Sequence, residues 1–335
     1  MNGKLLTEDA GQILIESGAF KMLTFYSESY DTLLFRDFDP GAKKEVLGKK
    51  GSACRFCLRS KPEVKFSADA HVIPAFVGNK VLFTRYECNE CNARFSEFED
   101  DLAKMTMGDR ALAQVPKRKG FASLKPQGKK SSFERGQKGV IIKQYLDEGI
   151  FTLDSENSQL VTTYETQPFR SLGAYKALAK AAFTLLPDGE LANFQELRLW
   201  LNEKDVVTRK VYANKGHWCF HTFVPGPSPF PNPIVALMRR KQNIEAPYLL
   251  FFLAFGNWTY QIFVPCPEMD RVMEGKALQI VRYPHLYMLQ PWLAKGRVQQ
   301  AEIYMDAAER KSESRTLRMR YDSIQDGSRT EASEI

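Results

Sequence analysis

The chain has 335 residues, of which 44% are hydrophobic and 26% charged, with 47 basic against 40 acidic side chains. That composition supplies real cores and excludes a wholly disordered chain, and its length predicts two domains. The longest apolar run, Tyr248 to Phe255, is too short to cross a bilayer, so no membrane partner is expected.

Residues 1–50 read as a lead-in that packs on the module after it. No charged, apolar and cleavage-site pattern follows Met1, so no leader is read there. Thr7 is placed to cap a short helix through Ser17, and the aromatics from Phe25 to Phe38 predict strand or core packing. Asp39-Pro40-Gly41 ends that stretch, and Lys43 to Lys50 reads as a loop.

Residues 51–113 carry the strongest signal. Cys54 and Cys57 form one Cys-x-x-Cys pair, and Cys88 and Cys91 form a second after a gap of 30 residues. Two such pairs complete a tetrahedral zinc shell with no open position, so the predicted role is structural. Four of six cysteines in such pairs also fit a reducing cytoplasm. Within the gap, His71 ends a strand-like run and precedes Ile73-Pro74. After Cys91 an acidic helix is predicted through Lys104, with Asn92, Ser96 and Glu99 on one face. Taken alone, Glu99, Asp100 and Asp101 read equally well as a solvated helix face.

In order, Cys-x-x-Cys, His-x-x-Pro, Gly-Asn, Cys-x-x-Cys-Asn and an acidic helix resemble the HNH nucleases, in particular their zinc-stapled branch, over about residues 50–110. The resemblance implies a β-hairpin packed on a helix, the ββα-metal fold. It makes His71 the general base that activates water. It makes Asn92 a ligand of a catalytic divalent ion, Mg²⁺ or Mn²⁺, with Glu99 and Asp100 as the acidic pair on the helix. Asn79 fills the Gly-Asn position. The sequence departs from the pattern twice: Ala70 stands where many members carry an acidic metal ligand, and Ser96 where others carry His or Lys.

Residues 114–138 hold eight basic side chains and one acidic, a charge of +7 that equals the whole chain's excess. The rest balances at 39 against 39. Gly, Ser and Pro make this a basic linker. Lys117, Arg118, Lys119, Lys129 and Lys130 are its predicted phosphate contacts, since lysine and arginine that neutralise phosphates release counterions.

Residues 139–308 predict a C-terminal α+β domain. Short strands run from Val140 to Glu165, an amphipathic helix capped by Ser171 ends before Pro187, and a second helix covers Leu191 to Leu201. Strands follow at 217–224, 248–255 and 258–264, the last two joined at Gly256-Asn257. His217, Cys219 and His221 alternate, which reads either as a second metal site or as the inward face of a buried strand, with Trp218, Phe220 and Phe223 opposite. Residues 309–335 read as a charged, partly disordered tail.

The fold class is therefore α+β: an N-terminal zinc-stapled nuclease module plus a C-terminal α+β domain. The expected function is an HNH-like, metal-dependent endonuclease acting on DNA, with RNA less favoured, in restriction or phage defence. A zinc-knuckle nucleic-acid-binding protein with a degenerate site is the alternative. The C-terminal domain leaves room for a homo-oligomer, an activating ligand or a partner protein.

Overall fold

A computed structural model of the chain describes residues 4–8, 11–16, 18–49, 51–67, 69–116, 120–135, 140–145, 148–203, 216–226, 228–274, 276, 278–284, 298–321 and 323. Helices and strands are mixed, so the fold is α+β.

The lead-in differs from its prediction. β1 (Lys4–Glu8) and β2 (Gly11–Glu16) form an antiparallel hairpin where a helix from Thr7 was expected. Pairing decides this: β2 also runs parallel to Leu278–Val281 far along the chain, and strand pairing overrides a local cap signal. α1 (Ala19–Ser29) follows, then β3 (Tyr30–Asp37). Among the described strands of the lead-in, β4 (Glu45–Leu47) alone pairs with the cysteine module; β3 instead joins a large sheet.

The cysteine module is short and regular. β5 (Ala70–His71) and β6 (Leu82–Thr84) are antiparallel, with β4 parallel on the far side of β6. α2 (Asn89–Met105) and α3 (Met107–Leu112) continue from the second cysteine pair. Phe95, Phe98, Leu102 and Met105 recur every three or four residues on α2 and are buried, which gives that helix one apolar stripe.

Beyond it, β7 (Ser132–Arg135), β8 (Val140–Lys143), β9 (Phe151–Asp154) and β10 (Gln159–Glu165) surround a small core that includes Leu124, Phe133, Ile150, Phe151, Leu160 and Tyr164. Then come α4 (Ser171–Leu185), α5 (Gln195–Asn202), β11 (Trp218–Phe223), β12 (Phe230–Arg240), β13 (Leu249–Gly256) and β14 (Trp258–Val264). β15 (Leu278–Val281), β16 (Gln299–Tyr304) and β17 (Ser314–Arg320) close the order. The start of the expected charged tail is thus a strand, β17 on β10, because Leu317 and Met319 alternate onto the small core.

Six antiparallel strands in the order β16-β11-β14-β13-β12-β3 make the central sheet. Every residue of β13 and β14 is buried, as their near-continuous apolar runs require. Between them Gly256 takes φ +59°, and a side chain there would collide with Ala113. One core, holding α4, lies against one face of this sheet; a second, holding Met22 and Tyr26 of α1, lies on the other.

α4 is not amphipathic: each of its residues is buried. It packs against α2 and against β13 and β14, so the cysteine module and the sheet share one core. Nor does Ser171 cap it, since its hydroxyl accepts the Ala307 N–H. The cysteine module holds both ends instead. At the start, the Arg170 N–H donates to Asp101 Oδ1 at 3.1 Å, and Gly173 leaves room for that carboxylate. At the end, the Arg55 guanidinium donates to the carbonyls of Phe183, Thr184 and Leu186 at 3.3, 2.9 and 2.9 Å. A carboxylate at the N-terminus and a cation at the C-terminus both favour the helix dipole.

Candidate functional site

The four cysteines converge. Cys54, Cys88 and Cys91 are fully buried and Cys57 partly so, and their sulfurs lie within 4.8 Å of one another. Cys57 and Cys88 Sγ are 3.8 Å apart. Sulfurs about 2.3 Å from a tetrahedral zinc would stand about 3.8 Å from each other, so the cluster fits that ion and leaves no open position. The Cys91 thiol donates toward Cys54 and holds it down to about 4, while the same contact pushes Cys91 up. A bound cation displaces such shared protons. The Cys88 N–H also donates to Cys54 Sγ at 3.4 Å, which ties the start of α2 to the first pair.

No second cluster of this kind exists among the described residues. His217 donates or accepts at Asp306 Oδ1 over 2.9 Å and stacks on Trp200; Cys219 is in the core; His221 Nε2 lies 3.3 Å from Asp109. Their strand points them inward, as one of the two readings required. Phe223 belongs to that same face rather than the opposite one, and packs on the α4 side of the sheet.

His71 pairs with Phe83 across β5 and β6, and its ring lies 4.5 Å from the Phe83 ring. Register places the flanking pair, Ala70 and Thr84, on the buried face of this hairpin. An acid at position 70 would therefore enter the core. His71 is half-buried, and its Nδ1 is buried without a hydrogen-bond partner. Burial holds the imidazole below its ordinary value of 6.5, Lys180 and Lys44 act the same way, and Glu99 opposes them.

The remaining predicted residues divide. Asn92 is exposed at the start of α2, and its side chain makes no hydrogen bond among the described residues. Ser96 donates to the Ala93 carbonyl. Glu99 is a quarter exposed and pairs with Lys180 at 3.2 Å. Asp100 accepts from Lys104 at 2.7 Å. Asn79 is wholly buried: it donates to the carbonyls of Ile73 and Leu82 and accepts from the N–H groups of Val81 and Leu82, so it locks the loop between the hairpin strands. Lys117, Arg118 and Lys119 lie outside the described residues. Lys129 and Lys130 are exposed just before β7, and the Lys130 ammonium lies over the Tyr145 ring.

Residues 54–107 match the HNH endonuclease family. The cysteine module is an HNH domain, and the match spans 54 of the 335 residues, so it assigns nothing to the remainder. No curated protein and no solved structure matches the chain significantly.

Two residues of this HNH site were missed in the sequence. Lys180 of α4 is buried and reaches Glu87 at 2.9 Å, Glu99 at 3.2 Å and the His71 carbonyl at 3.5 Å. Burial pulls its ammonium down, but Glu87 and Glu99 together hold it above its ordinary value. Burial pushes the Glu87 carboxyl up, against the pairing with Lys180. No local pattern marked Lys180, because its partners Glu87 and Glu99 lie far earlier in the chain.

Proposed function

We propose that the chain is an HNH-type, metal-dependent endonuclease that hydrolyses phosphodiester bonds of DNA, with zinc in the four-cysteine cluster. The observation that carries this reading is His71: a half-buried imidazole held below its ordinary value of 6.5, on the hairpin of the HNH segment. Hydrolysis needs such a base. His71 takes a proton from water, the water oxygen bonds to phosphorus, and the bond to the leaving oxygen breaks, that oxygen taking its proton from solvent.

Asn92 and Glu99 are the oxygen donors that would hold Mg²⁺ or Mn²⁺, since hard divalent ions take oxygen ligands and keep several waters. Glu99 is preferred to Asp100 because its charge reaches His71. When bound, the ion supplies positive charge against the charge developing on the phosphate. Lys117, Arg118, Lys119, Lys129 and Lys130 hold phosphates of the bound strand. The family resemblance alone suggests the setting, restriction or phage defence in the cytoplasm, with the C-terminal half sensing a ligand or partner or building a dimer.

A second reading, a nucleic-acid-binding protein with a degenerate HNH site, is favoured by one observation: both candidate carboxylates already have a lysine partner. A plasmid-cleavage assay with Mg²⁺ or Mn²⁺, and with the ion withheld, separates the two. Nicking or linearisation that needs the ion supports the nuclease; binding without cleavage under every ion supports the second reading.

A further inference from the structure

The exposed face of the HNH hairpin carries charge that neither the family match nor the basic segment accounts for. Antiparallel register sets His71 against Phe83 and Ala70 against Thr84. The next pair outward is Asp69 and Arg85, so side chains of Asp69, His71, Phe83 and Arg85 emerge on one side. Asp69 organises two cations there. Its Oδ1 accepts from Arg85 Nε at 3.1 Å, and its Oδ2 accepts from Lys44 Nζ at 3.3 Å.

That geometry matters in three ways. Arg85 binds Asp69 through Nε, and its side chain stays 40% exposed, so donors remain for another acceptor. Lys44 is 54% exposed and lies 4.1 Å over the Phe83 ring, the same ring that backs His71. Beside them a cavity of about 210 Å³ is lined by Lys49, Lys61, Ser52, Ser67, Asp69 and Arg85 among others. Lys49, Lys61 and Arg85 line this cavity with Asp69, and Lys44 pairs with the same carboxylate, an excess of basic over acidic side chains among these residues. The nearby Glu45 is taken by Arg36. This excess is presented two residues from the half-buried imidazole, about 6.6 Å along the strand.

We propose that Lys44, Lys49, Lys61 and Arg85 form the surface that holds the phosphodiester backbone of the substrate strand across His71. The inference rests on the reading that the HNH segment acts on nucleic acid, and it names the surface that does the holding. Arg85 offers a planar fork matched to a phosphate, and the three lysines act as point charges around it. Sequence-independent binding that weakens with salt follows. Residues 43–49, read from the sequence as a loop, carry β4 and become a substrate arm.

The test is fluorescence anisotropy of the full chain with labelled duplex DNAs of two unrelated sequences, without added divalent ion, across a salt series. Lys44→Gln with Arg85→Gln should weaken binding to both sequences about tenfold or more. It should also flatten the log–log salt slope by about 1.8, since each phosphate contact contributes about 0.9. Lys49→Gln with Lys61→Gln makes a second pair of changes. Neither lysine forms an ion pair among the described residues, so this variant keeps the fold and should lower affinity and slope in the same direction. Wild-type binding with unchanged affinity and slope in both hairpin variants overturns this inference while leaving the nuclease reading standing. A wild-type chain that binds neither DNA nor the matching RNA overturns that reading, and this inference with it.

Discussion

Lys180 and Glu87 form an ion pair at 2.9 Å with almost no exposure on either side chain. The lysine comes from α4, 73 residues beyond the end of the HNH match, and the glutamate stands directly before Cys88. The same ammonium reaches Glu99 and the carbonyl of His71, so the HNH segment is completed by a helix outside it.

Removing one partner from a buried pair leaves an uncompensated charge and costs about 3–5 kcal/mol. Lys180→Met should therefore destabilise the whole chain by about that amount in urea unfolding, more than Lys104→Met, which leaves only the half-exposed Asp100. Equal midpoints for the two variants would contradict the role given to Lys180.

Zinc should be present at one ion per chain in protein purified without added metal. The thiolates are gathered only in the folded state, so binding energy becomes folding energy. Cys88→Ser or chelation should lower the melting temperature and expose the junction of α2 with the first cysteine pair. Elemental analysis giving less than half an ion per chain would count against the cluster as a zinc site.

Acid should act on His71 in a defined direction. Its folded value lies below the ordinary 6.5, so the folded state binds fewer protons than the unfolded state. The stability His71 contributes is complete above about pH 6.5 and is lost as pH falls from there toward the folded value. The acid limb of kcat/KM should likewise fall below pH 6.5. An acid limb centred above pH 7 would mean that another group, or a charged His71, governs the reaction.

The basic segment makes a separate prediction. Replacing Lys117, Arg118, Lys119, Lys129 and Lys130 by Gln should weaken binding to unrelated DNA sequences alike and flatten its salt dependence. If affinity and slope both stay at wild-type values, those residues are a connection and nothing more.

The sequence was most readable where the signal is local. Paired cysteine spacing gave the cluster, and helical spacing gave α2, whereas the hairpin came from the family resemblance. Gly256-Asn257 gave the β13–β14 turn, again from adjacent residues. Legibility failed where a distant partner decides. β2 became a strand because residues 278–281 pair with it. β12, with Pro231 and Pro233 in its first turns of chain, gave no strand pattern, yet it is paired on both sides. α4 read as amphipathic, yet both its lysines, Lys176 and Lys180, are buried, and Lys180 is neutralised by residues about 80 and 90 positions earlier. In the site, Glu99 was found from helical spacing, but its lysine was invisible to any local pattern.

The central claim is that His71 is the base, and the most direct measurement is the single-turnover cleavage rate of His71→Ala against wild type, with Mg²⁺ or Mn²⁺ and at matched zinc content and melting temperature. Loss of a positioned general base costs about 10²–10⁴-fold in rate. The account predicts a fall of that size with DNA affinity close to wild type, because His71 contributes no charge to the surface around it near pH 7. A variant that cuts as fast as wild type would contradict it and move the chemistry to another residue.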